Sequence, residues 1–235
     1  MVRPMVAVVL VGLFLGRGMP AESAATRSAK DALRPFNDLI GTWKGTGTAV
    51  GSREFQQKNF WVETMTWEWH FKAGDAWLTV AFDKSKHFSK GELRYEPVKD
   101  EYALTLVTSA KDKVTFTGKL KDKVLTLQRD ADKESQRLVF TFLHSNRFLY
   151  RAESKPEGKS LFARLYQVGA TKEGVPFAGD DGRPECIITG GLGTIAVMHQ
   201  GKTYYVCCSG CRDEFREHPE MYIKEYEAKK AKKGQ

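Results

Sequence analysis

The feature that most constrains this chain is a period-two alternation from Ile40 to about Gly169. Trp67, Trp69 and Phe71 alternate with Glu68 and His70, and Leu138, Phe140 and Phe142 alternate with Val139 and Thr141. A period of two places successive side chains on opposite faces of a sheet. Turn-forming groups interrupt the pattern at short intervals: Ala73-Gly74-Asp75, Glu96 to Asp100, Ala110-Lys111-Asp112, Leu120-Lys121-Asp122, Arg129 to Asp132, His144-Ser145-Asn146 and Lys155 to Gly158. Neighbouring strands are therefore expected to be hairpin partners. About ten strands fit, and nothing between them has the length and period of a crossover helix. The expected fold is mainly β, an antiparallel up-and-down barrel, because closure removes the free edges of so large a sheet. A two-sheet sandwich is the alternative.

The N-terminus reads differently. Arg3 precedes an apolar run from Met5 to Leu15, and small residues follow between Pro20 and Ala25. Residues 1–25 have the composition of a secretory signal peptide, with cleavage after Ala21 or Ala25. The run is short for a helix crossing about 30 Å of hydrocarbon, so a retained anchor is the lesser alternative. Export places the chain in a periplasm, cell envelope or extracellular space, where thiols can oxidise.

The strand region carries a first resemblance. Leu33 to Gly45, with Gly41-Thr42-Trp43 at its centre, is similar to the start of a lipocalin-like barrel, where a helical turn leads into a first strand bearing Gly-x-Trp. The resemblance covers residues 26–170. It implies that an arginine of the last strand, Arg164, packs over Trp43 at the closed end. It also implies an interior that encloses a small apolar ligand, or one filled by rings such as Trp61, Trp77, Phe82, Phe116, Phe148 and Tyr150. Relatives that hold haem through a barrel histidine direct attention to His70, His87 and His144. His144 sits in a turn and His87 follows a lysine-bearing run, so both read as solvated. No nucleophile has a sequence-visible partner and no Gly-rich phosphate loop occurs, so the expectation is a protein that is not an enzyme.

Residues 171–183 form the expected linker, rich in Gly, Asp and Pro from Glu173 to Arg183. Residues 184–235 hold all four cysteines. Twenty residues separate Cys186 from Cys207, and three separate Cys207 from Cys211. A hairpin between Thr194 and Val206 returns the first cysteine to the other two, which open a helix. Thiolates are soft ligands for zinc, copper and related ions, and a helix N-terminus favours the ionised sulfur. A fourth position falls to Cys208, His199, His218 or water.

The stretch Gly201-Lys202-Thr203-Tyr204-Tyr205-Val206-Cys207, with Ser209-Gly210-Cys211, Phe215, Pro219-Glu220 and Tyr222, resembles the TRASH/YHS group of metal-binding modules. The resemblance implies a small α+β, treble-clef-like unit that holds one heavy-metal ion, zinc or copper, through Cys186, Cys207 and Cys211. It implies a role in metal handling or sensing. Cys208 is an additional thiol. Disulfide pairing, for instance of Cys186 with Cys211, is the alternative in an oxidising compartment. A second functional reading makes the barrel the working part, with the cysteines as a structural staple.

The net charge of +8 falls to +7 when the signal peptide leaves. The remaining charge is scattered over turns and a basic tail, Lys224, Lys229, Lys230, Lys232 and Lys233, so it does not point to nucleic acid. The tail is expected to follow a short apolar stripe of Tyr222, Ile223 and Tyr226. It meets the negative end of its own helix or, weakly, an anionic envelope surface.

Overall fold

A computed structural model describes residues 27–174 and 184–233. The expected signal peptide and residues 175–183 of the expected linker lie outside the described residues. Ten antiparallel strands form one closed barrel: β1 (Gly41–Ala49), β2 (Trp61–Lys72), β3 (Asp75–Asp83), β4 (Phe88–Glu96), β5 (Glu101–Thr108), β6 (Lys113–Lys121), β7 (Val124–Ala131), β8 (Glu134–His144), β9 (Arg147–Pro156) and β10 (Ala163–Lys172). Each strand pairs with the next, and β1 closes the ring by pairing with β10 from Trp43↔Lys172 to Ala49↔Tyr166. The up-and-down barrel is thus the observed architecture, and the sandwich is excluded.

The turn signals fall at the hairpin connections. Ala73-Gly74 between β2 and β3, and Asp122-Lys123 between β6 and β7, have positive φ at both residues. That geometry matches the right-handed twist of the flanking strands. Two connections were not signalled. Between β1 and β2 lies the short helix α2 (Arg53–Lys58), started by Ser52, whose Oγ accepts the Phe55 N–H at 3.2 Å. Six residues are too few for a helical period to show. Between β3 and β4 lies the segment 84–87, where the β3–β4 ladder has already stopped at Ala81↔Lys90.

The lower end of the barrel is sealed by the chain that precedes it. Helix α1 (Ala29–Leu33), capped by Ser28, continues into a 3-10 turn (Arg34–Leu39). Leu33, Phe36 and Leu39 are buried beneath the strands. Phe36 meets Tyr102 edge-on at 5.0 Å, and the Tyr102 hydroxyl donates to the Ala32 carbonyl at 2.8 Å. Trp43 is buried here with its indole N–H on the Leu39 carbonyl at 2.7 Å.

The cation over Trp43 is Lys172, whose Nζ lies 5.4 Å from the ring centroid and also donates to the Asp38 carbonyl at 2.8 Å. This corrects the assignment of Arg164. The closing register puts Lys172 opposite Trp43, whereas Arg164 lies at the other end of β10, exposed and bonded to Gln167 at 3.3 Å. The two positions are eight residues apart, about 26 Å along a strand.

After the barrel, β11 (Ile195–His199) and β12 (Lys202–Val206) form a two-stranded hairpin, followed by α3 (Ser209–Glu217) and α4 (Pro219–Lys233). The hairpin turn, Gln200-Gly201, again has positive φ at both residues. Tyr222 is buried, Ile223 and Tyr226 are partly buried, and Lys30 of α1 lies over the Tyr222 ring at 4.8 Å. The apolar stripe of the tail therefore packs back toward the sealed end of the barrel. No helix among the described residues is long and apolar enough to cross a membrane.

The corrected cation pairing is testable by urea unfolding. Lys172→Ala is expected to lower stability by about 0.5–1 kcal/mol, and Arg164→Ala to stay within about 0.5 kcal/mol of the parent. The reverse order would restore the arginine assignment.

Candidate functional sites: a cysteine cluster and a polar barrel mouth

The cysteine cluster is built against the sealed end. A tight turn brings Cys186 N–H to the Gly191 carbonyl at 2.6 Å, and Gly190 N–H returns to the Cys186 carbonyl at 2.9 Å. The hairpin then delivers Cys207, and the first turn of α3 delivers Cys211. The Sγ atoms of Cys186, Cys207 and Cys211 all lie within 4.8 Å of one another, and all three residues are buried. Cys207 and Cys211 have their sulfurs 3.5 Å apart. Two thiolates on a tetrahedral ion with bonds of about 2.3 Å sit about 3.8 Å apart, so the spacing fits a shared soft ion.

All four cysteines are free thiols in contact with one another. Hydrogen bonding from Cys207 and then Cys211 moves Cys186 toward the thiolate, and the Cys207 contact does the same for Cys208. Cys207 is held as a thiol by its bond to Cys186, and Cys211 chiefly by burial. Four buried sulfurs cannot all ionise without a cation to balance them. Thr189, also buried, places its Oγ1 3.7 Å from Cys207 Sγ.

Cys208 faces the barrel. Its Sγ accepts the backbone N–H of Trp69 at 3.4 Å, while remaining 4.0 Å from Cys207 Sγ. The reason lies in the strand lengths. The β1 partners of β2 end at Trp67, and β2 continues to Lys72 paired to β3 alone. The Trp69 N–H therefore lacks a strand partner and takes the sulfur, as a buried donor must. Two further bonds hold the same face: Ser209 Oγ donates to Glu68 Oε1 at 2.9 Å, and Asn37 Nδ2 donates to the Thr189 carbonyl at 2.9 Å. Asn37 Oδ1 accepts the Trp69 indole N–H at 3.2 Å. Gly210 is required for this docking, because a Cβ there would stand 1.7 Å from the Trp69 carbonyl oxygen.

The two histidines named as fourth ligands are engaged elsewhere. His199 Nε2 pairs with Glu220 at 2.9 Å, and His218 caps the end of α3, exposed, beside Glu214 and Glu217. Spacing alone did not reveal that both lie on the outer side of the hairpin and helix.

The opposite end of the barrel holds a constellation that the sequence did not disclose. Glu63 of β2 is only 1% exposed. Its carboxylate accepts the Trp61 indole N–H at 2.8 Å, the Ser85 hydroxyl at 2.7 Å and the Tyr150 hydroxyl at 2.6 Å. Gly47 makes room for the Trp61 ring, which a Cβ would meet at 2.1 Å. His87 is half-buried and lies flat on Tyr166 at 4.0 Å, with Trp61 edge-on to it at 5.1 Å. This corrects the reading of His87 as a solvated surface residue. Burial, and then Lys86, hold its imidazole below the ordinary histidine value, against the pull of Glu63. Burial and the Glu63 charge push the Tyr150 and Tyr166 phenols up. The alternation marks Glu63 as inward-facing, which was the available signal. His70 stacks on Trp77 at 5.7 Å, and His144, expected in a turn, is the exposed last residue of β8, just before the Ser145-Asn146 turn.

Between the two ends the interior is filled by rings. A void of about 10 Å³ remains, lined by Trp67, Phe82, Phe88, Phe140 and Tyr150 among others, room for about one water. Trp67, on its wall, has an indole N–H with no protein acceptor.

No family model matches the chain, and no curated protein matches it. No family model therefore supports the TRASH/YHS resemblance; of what it implied, the structure contains the cluster of Cys186, Cys207 and Cys211. Among solved structures, an S-type phycobiliprotein lyase from Guillardia theta matches with a TM-score of 0.36 and 9% identity, over 64% of this chain and 96% of that chain. The reading that the chain is not an enzyme is withdrawn: that matched structure is titled a lyase, and the lack of a sequence-visible nucleophile does not exclude catalysis.

Three outcomes follow from the two sites. Gly210→Ala should lower stability by about 1–3 kcal/mol through forced displacement of α3 from Trp69, measured by thermal unfolding. Tyr150→Phe leaves one Glu63 oxygen without its donor and should cost about 1–3 kcal/mol. For His87 the charged form is disfavoured in the folded chain, so protonation favours unfolding. Stability should fall as pH drops below about 6.5, and His87→Gln should remove that part of the slope in acid titrations of unfolding.

Proposed function

We propose that the chain is an exported small-ligand-binding barrel whose sealed end is stapled by one soft metal ion held between Cys186, Cys207 and Cys211. The observation that carries this reading is the convergence of three buried sulfurs on the same continuous core as Trp43, Trp69 and Phe36. A site meant to pass an ion to a partner needs an approach to the sulfurs, whereas Cys186, Cys207 and Cys211 are all buried, with the Thr189 hydroxyl against Cys207. Metal here supplies cohesion. It ties the 186–191 turn, the hairpin and α3 together, and through Cys208 and Gly210 to β2.

Zinc or copper is the ion that thiolate chemistry and the motif resemblance favour. The fourth position is left to Cys208, which would exchange its Trp69 bond for the ion, or to water. The ligand belongs to the other end, where a buried carboxylate and aromatic faces meet at the mouth. The barrel is thus the working part and the cysteine unit its base. The apolar run from Met5 to Leu15 supports export.

Chelation distinguishes a staple from a handling site. Removing the ion from the purified protein with a strong chelator under reducing conditions should unfold the C-terminal unit and lower the melting temperature of the barrel with it. Cys207→Ser combined with Cys211→Ser should abolish metal retention and give the same loss. Metal that exchanges with the chelator while the melting temperature holds would favour handling. A protein isolated without metal and without free thiols would establish the disulfide alternative.

A further inference from the structure

We infer that the barrel mouth is a binding site for a small organic cation, an alkylammonium or quaternary ammonium compound, seated against Trp61, Tyr166 and the Glu63 carboxylate in the place now taken by the His87 ring. This rests on the reading of the barrel as a ligand binder and names the ligand's class.

The first argument is electrostatic. Glu63 is buried, and its three donors, an indole N–H and two hydroxyls, are neutral. Among the described residues it makes no ion pair. A buried carboxylate is strongly stabilised by a cation that shares its site, and neutral donors compensate only part of the charge. His87, which stacks on Tyr166 beside this carboxylate, is held on the neutral side by burial and by Lys86.

The second argument is the wall chemistry. Tyr166 presents its face to the mouth, covered by His87 at 4.0 Å, and Trp61 stands 5.6 Å from Tyr166. Aromatic faces beside a carboxylate are the surroundings that hold ammonium groups. A cation already uses one of them: Lys86 Nζ lies 5.6 Å from the Trp61 ring centroid. A metal ion does not fit the same place, since one carboxylate and two hydroxyls fall short of the six to eight oxygens that hard cations take.

The third argument is access. His87 belongs to the segment 84–87, whose flanking strands are unpaired with each other beyond Ala81↔Lys90. Its anchors are the Ser109 N–H on the His87 carbonyl at 2.9 Å, the Ser85 hydroxyl on Glu63 at 2.7 Å, Lys86 over Trp61 and the ring stacking itself. Swinging this segment outward exchanges the Ser85 and Lys86 contacts for the incoming cation and uncovers Tyr166 and Trp61 without breaking a β3–β4 rung. On the opposite wall, Gly45 and Gly47 give Glu63 and Trp61 their depth, with a Cβ at either position clashing with those side chains or their neighbours.

The test uses the full chain and two probes of matched shape, choline and its uncharged isostere 3,3-dimethylbutan-1-ol. Binding is followed by proton–nitrogen NMR at the Trp61 indole, assigned with Trp61→Phe, and at the His87 ring. Choline is expected to shift both signals saturably and to bind about tenfold more tightly than the isostere. His87→Ala should tighten choline binding by removing the resident ring, and Glu63→Gln should erase the preference for charge. Equal affinity for the two probes would overturn the organic-cation assignment and leave the ligand-binding barrel standing. Failure of choline to shift Trp61 in both the parent and His87→Ala would overturn the site. Uptake of an uncharged apolar fluorophore, N-phenyl-1-naphthylamine, tests the barrel reading separately. These comparisons hold in the parent protein even if Glu63→Gln does not fold.

Discussion

Closing β1 on β10 satisfies every edge of the sheet and creates two open ends, and the remaining structure is organised around those ends. The closing register sets what is available at each. At the lower end it pairs Trp43 with Lys172 and lets β2 outrun β1, leaving the Trp69 N–H to be satisfied from outside the barrel. At the upper end it places Gly45 and Gly47 beside the start of β2, where Trp61 and Glu63 turn inward. The lower end is sealed by apolar burial, with sulfur as the last acceptor. The upper end is sealed by a stacked ring on a segment that the ladder does not hold.

This division explains why the C-terminal residues pack onto the barrel. Cys208 and Gly210 meet the Trp69 backbone, Asn37 bridges Trp69 and Thr189, and the buried core runs without interruption from Phe36 to Phe215. Loss of order among the cysteines is therefore felt at the barrel base. Apolar burial at the base and polar satisfaction at the mouth leave the two ends with different chemistry, one suited to a soft ion and the other to a small molecule.

Much of the fold was legible in the sequence because its signals are local. Period-two alternation and turn residues such as Ala73-Gly74 identify the strands and hairpins, and the cysteine spacing identifies the cluster. What was illegible depends on register. The assignment of Arg164 to Trp43 failed because sequence distance along β10 does not say which end meets β1. The mouth was missed because Glu63, Ser85, His87, Tyr150 and Tyr166 come from three strands and a loop, and only closure brings them together. His87 follows Lys84-Ser85-Lys86, a run that reads as solvated until stacking on Tyr166 is seen. Helix α2 was too short to leave a period.

The central claim is that the buried sulfurs hold an ion as part of the barrel's own core. X-ray absorption spectroscopy of the native protein, at the edge of the metal found by elemental analysis, tests it most directly. A first shell of at least three sulfurs at about 2.3 Å is the predicted result. A shell of oxygen and nitrogen alone would contradict the account.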